Sequence, residues 1–117
     1  MGFTREPDNS ALLTAEPTAQ LWAELWVSLA SLLRSYTAVH GLNRRDQATV
    51  ELGEERITVR VSERWLRLDR NAANVSWSRE NGANGAMSLT ENGRLKSETG
   101  EEELDMQAEA WARELTR

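Results

Sequence analysis

Two hydrophobic periods divide the chain. Between Pro17 and His40 the apolar residues of "TAQLWAELWVSLASLLRSYTAVH" recur at helical spacing. At 100° per residue, Leu21, Leu32, Val39, Leu25, Tyr36, Leu29, Trp22, Leu33 and Trp26 fall within an arc of roughly 140°. The pattern predicts one long amphipathic helix. Pro17 suits its first position, where a missing N–H costs nothing. Gly41 stands where a left-handed C′ residue belongs, with Leu42 placed to contact the helix behind it.

After "NRRD" the period drops to two. Apolar residues alternate with polar ones in "ATVEL", "RITVRVS", "WLRLD", "NVSWS", "AMSLT" and "RLKS". Short alternating runs with short turns between them predict an antiparallel meander of five or six strands. One face of it is apolar and the other polar, so one face alone needs cover. Beyond it, "TGEEELDMQAEAWARELTR" returns to helical spacing. Thr99 and Glu102 match a Thr-x-x-Glu capping box, and acids crowd the first turn, where the helix dipole favours them. Leu104, Ala108, Trp111, Ala112 and Leu115 make a narrow apolar stripe. The expected fold is therefore an α+β two-layer sandwich, with a long N-terminal helix, the meander and a C-terminal helix. Residues 1–16, with few apolar positions and the turn formers Pro7, Asp8, Asn9 and Ser10, read as a flexible tail. Residues 17–117 form the single domain.

At 117 residues, one domain is the expected number. There is no cysteine, which excludes disulfides, thiolate catalysis and zinc–thiolate sites. The net charge of −5 is uneven. Residues 1–47 hold four Arg and five acids, residues 48–97 hold seven Arg, one Lys and seven acids, and residues 98–117 hold two Arg and seven acids. The acidity is concentrated after the meander. No stretch is apolar enough to span a membrane, and "MGFTREPDNS" lacks the pattern of a secretory signal. A soluble cytoplasmic protein is the expectation.

Three Asn-Gly pairs, at 81–82, 84–85 and 92–93, raise the question of a phosphate-binding loop. A Walker loop needs Gly-x-x-x-x-Gly-Lys-Ser/Thr opening a helix, and here the glycines lead into strand patterns with no Lys-Ser/Thr. Asn-Gly between alternating runs signals hairpins instead. The one histidine, His40, falls in the last turn of the long helix and reads as a half-buried or capping side chain. "DRNAAN" at 69–74 lacks the glycine and the bidentate Glu of a calcium loop. No nucleophile elbow is present. These residues point to no catalysis, metal or cofactor.

Two surfaces remain as candidates. The long helix carries more apolar surface than one small sheet needs, which makes Trp22, Trp26, Leu29 and Leu33 a candidate partner-binding face, most simply in a homodimer. The polar sheet face gathers Arg56, Arg60, Arg67, Arg94 and Lys96, with Trp65 as its one aromatic. The expected function is a non-enzymatic protein-interaction module, dimeric and adaptor- or chaperone-like. In size and order of elements the layout resembles secretion chaperones and similar adaptors, without a shared motif. A second reading is a small apolar-ligand binder, with Trp22, Trp26 and Trp77 lining a pocket between helix and sheet. A third is a nucleic-acid-associated module using the sheet face; a single aromatic and the acidic total weigh against it.

Overall fold

The computed structural model describes residues 6–41 and 48–117, with side chains from Thr18 onward. Helix α1 spans Glu6–His40. Seven strands follow: β1 Thr49–Leu52, β2 Arg56–Val61, β3 Arg64–Asn71, β4 Asn74–Arg79, β5 Asn84–Leu89, β6 Arg94–Ser97 and β7 Gly100–Glu103. Helix α2 spans Leu104–Leu115. The strands form one antiparallel meander in chain order, β1 at one edge and β7 at the other.

The alternation determines which side chains turn inward. Ile57, Val59 and Val61 of β2, Leu66 and Leu68 of β3, Val75 of β4, Leu89 of β5 and Leu95 of β6 are all buried. They share one core with Trp26, Leu29, Ala30 and Leu33 of α1 and Leu104, Ala108, Trp111 and Leu115 of α2. The helices thus lie on the same face of the sheet. Tyr36 Oη donates to Asp105 Oδ1 at 2.6 Å, and one turn further along both helices His40 Nε2 pairs with Glu109 Oε2 at 2.9 Å. The two helices therefore run parallel over this stretch.

Three details differ from the sequence pattern. Helix α1 begins at Glu6, so Pro17 is an interior residue and has no N–H to give to the carbonyl four residues before it. Residues 1–5 of the expected tail, and the Leu42 contact expected after Gly41, lie outside the described residues. The buried arc of α1 is rotated toward Ala30 and Thr37, leaving Val39 exposed. Thr37 meets its burial by turning its hydroxyl back to the Leu33 carbonyl at 2.7 Å. Finally, "GEEE" is strand β7 rather than the first turn of a capped helix. The N-cap is Glu103, without a side-chain cap bond, and Thr99 sits in the β6–β7 turn with its hydroxyl 3.0 Å from Ser97 Oγ. Arg94 and Lys96 of β6 stand opposite Glu103 and Glu101, so cross-strand charge pairing favours a strand that propensity alone disfavours.

Two of the three Asn-Gly pairs do turn the chain. Gly82 (φ 90°) and Gly93 (φ 77°) occupy the left-handed region in the β4–β5 and β5–β6 turns. Gly85 instead lies within β5 opposite Trp77, and a Cβ there would stand 2.7 Å from the indole nitrogen. The glycine lets the Trp77 ring lie flat across its neighbour strand.

Candidate interaction surface

The apolar residues of α1 divide between interior and surface. Trp26 is 2% exposed, Leu29 and Leu33 are fully buried, and Trp22 packs half-buried against the same core. These four residues build the chain's own interior, so the ridge expected to meet a partner is covered by the sheet and α2. Trp77 packs against the same core from β4. It covers Gly85 and packs at 6.3 Å against Trp111.

The outer sheet face is mixed in charge. Arg56 Nε bonds Asp69 Oδ1 at 2.7 Å, and Arg67 Nε lies 3.5 Å from the other oxygen of the same carboxylate. Arg94 and Lys96 face Glu103 and Glu101 across β6–β7. Arg60 stands opposite Trp65, which is half-buried and donates its backbone N–H to Glu80 Oε1 at 3.1 Å. The five cations fall in two groups, Arg56, Arg60 and Arg67 on β2 and β3 and Arg94 and Lys96 on β6, with β4 and β5 between them. The sequence pattern missed the two carboxylates that β7 sets opposite Arg94 and Lys96.

At the opposite ends of the inner face sit two arginines. Arg79 is 8% exposed; its guanidinium bonds Glu80 at 3.3 Å and Glu114 at 2.8 Å, tying α2 to β4. Burial pushes the Glu80 carboxyl up, but the combined bonds from the Trp65 N–H, its own N–H and Arg79 outweigh it and hold it below the usual carboxylate range. Glu109 is held low as well, first by its bond from Arg113 and then by that from His40. These contacts join α2 to the body of the fold, and His40 is part of that joint.

The second arginine marks the surface of most interest. Arg70 follows the inward parity of Leu66 and Leu68, and its guanidinium lies 5.7 Å from the Trp26 ring centroid. It donates to the carbonyls of Ala72 at 3.1 Å and Glu54 at 3.2 Å, while its buried Nε has no partner among the described residues. Trp26 Nε1 donates to the Gly53 carbonyl at 3.0 Å. Around this pair opens a cleft of about 590 Å³, lined by Ala23, Trp26, Val27, Leu52, Gly53, Glu54, Glu55 and Arg70. On its rim Val27 is 49% exposed and Leu52 38% exposed.

The cleft adjoins the free edge of β1. Gly53 N–H donates to the Arg56 carbonyl at 2.7 Å, so Gly53 and Arg56 form a bonded pair at the hairpin end. Bonded and non-bonded pairs alternate along an antiparallel ladder. In the observed register Glu51 and Thr49 therefore bond to β2, while Val50 and Leu52 turn their backbone groups outward. The Val50 carbonyl is met there by Arg34 at 3.3 Å. Among the described residues no strand pairs with this edge. The sequence carried one usable sign of the cleft, the parity of Arg70; the exposure of Val27 and Leu52 depends on how α1 lies across β1.

Among the described residues no group of three His, Asp or Glu side chains converges as a metal site, and no helix is long and apolar enough to cross a membrane. Compared with known protein families, curated proteins and solved structures, the chain matches none.

Proposed function

We propose that this chain is a non-catalytic protein-interaction module that receives a partner at the corner where α1 meets β1. The observation that carries the reading is the pair of exposed apolar side chains, Val27 and Leu52, on either side of a cleft floored by Trp26. Exposed apolar side chains gathered around a cleft are an ordinary mark of a protein-binding site. The outer sheet face supports a partner less well, because its cations are largely matched by carboxylates on neighbouring strands. Self-association, if present, would use the exposed side of α1, since Trp26, Leu29 and Leu33 are committed to the core.

The test is photo-crosslinking in the native host, with a photoreactive residue at position 27 and, as control, at position 76 on the outer sheet face. Position 27 is expected to give a discrete protein adduct that position 76 does not. Identical patterns from the two sites, or no adduct from position 27, would count against the reading. Light scattering on the purified chain reports self-association in parallel.

A further inference from the structure

The two edges of the sheet are built differently. Strand β7 presents three successive carboxylates, Glu101, Glu102 and Glu103, all exposed. Charge on an edge strand is a common device against pairing with another chain. Strand β1, Thr-Val-Glu-Leu, carries one acid. Its outward backbone groups are only partly engaged: Arg34 meets the Val50 carbonyl, and the register leaves Val50 N–H and both groups of Leu52 facing out. Beside them lies the cleft on Trp26.

We propose that β1 accepts an extended segment of a partner protein as an eighth strand, one apolar side chain of that segment entering the cleft between Val27 and Leu52. The inference rests on the reading of this corner as the docking surface and specifies how it binds. In strand addition, main-chain bonds supply affinity and pockets for alternate side chains supply specificity. A residue opposite Leu52 would point its side chain to the inner face, toward the cleft. Its two neighbours would point to the outer face, beside Glu51. Among the described residues the carboxylates of Glu51, Glu54 and Glu55 outnumber the cations that line the cleft or meet the β1 edge, Arg70 and Arg34. The segment that fits is therefore one alternating apolar with basic residues. A second copy of β1 fits poorly in the register that pairs Val50 with Leu52, because it sets Glu51 directly against its own copy, and opposed like charges destabilise a ladder.

The experiment titrates the full chain with a capped six-residue peptide alternating lysine and leucine, read by NMR amide exchange. The peptide is expected to slow exchange at Val50 and Leu52 by at least tenfold and to leave Glu101–Glu103 unchanged. N-methylation of the peptide's bonding amides is expected to abolish the effect. The Leu52→Lys variant, altered at an exposed position, is expected to bind at least tenfold more weakly. No binding at millimolar peptide, or binding that survives N-methylation, would overturn strand addition. So would amides at Val50 and Leu52 that are already protected in a concentration-dependent way without peptide, which would assign the edge to a second copy. A crosslink from position 27 together with a silent peptide titration would leave the docking surface standing and remove only its strand-addition form.

Discussion

At the scale of single residues, Gly85 shows how closely this interior is fitted. Its missing side chain is filled by the Trp77 indole, with three ring atoms at 2.7 to 3.0 Å from where a Cβ would stand. Gly85→Ala must displace the ring, and overpacking of that kind costs about 2 kcal/mol. The expected result is a melting temperature lower by roughly 10 °C, with a changed tryptophan emission, since Trp77 contacts Trp111. An unchanged melting curve would show that the ring has room to yield. The carboxylates make a second prediction. Glu80 and Glu109 titrate below their ordinary value in the folded chain. The unfolded chain therefore takes up protons first as pH falls, and the stability these groups contribute is present above the ordinary carboxylate value of 4.5 and lost below it. The melting temperature is expected to fall from pH 6 to about pH 3, and Glu80→Gln is expected to narrow that difference. An equal pH dependence in the variant would remove Glu80 from the account.

At the scale of elements, the period of the apolar pattern was a sound guide wherever burial is one-sided. Strands β1 to β6 stand where alternation placed them, and the long helix and α2 stand where the helical period did. Strand β7 was hidden for a physical reason. Three glutamates carry no alternation, and Thr99 and Glu102 mimic a helix cap; what makes the strand is its neighbour, with Lys96 and Arg94 set opposite Glu101 and Glu103. The start of α1 was hidden differently, since proline is at home in the first turn of a helix and costly inside one. The cleft was hidden because no single element contains it: Ala23, Trp26 and Val27 come from α1, and Leu52 to Glu55 from the β1–β2 hairpin. The contrast between edges can be tested at the element that sequence missed. Replacing Glu101, Glu102 and Glu103 together by Thr, Val and Thr keeps a strand while discharging it. The expected outcome is concentration-dependent oligomers on size exclusion, against a single species expected from the unaltered chain. A single unchanged peak would show that the β7 edge is protected by something other than its charge.

At the scale of the whole molecule, the sheet and the helix pair are closed by contacts of very different range. Each hairpin joins residues a few positions apart. The bonds Tyr36–Asp105 and His40–Glu109 each span 69 residues. During synthesis α1 emerges first, with Trp26, Leu29 and Leu33 bare. The meander can then assemble hairpin by hairpin against it, but Tyr36 and His40 wait for α2 to be made. The parallel helix pair is thus the last part of the fold to close, and a nascent chain halted before Leu104 leaves bare the part of the core that Leu104, Ala108, Trp111 and Leu115 complete.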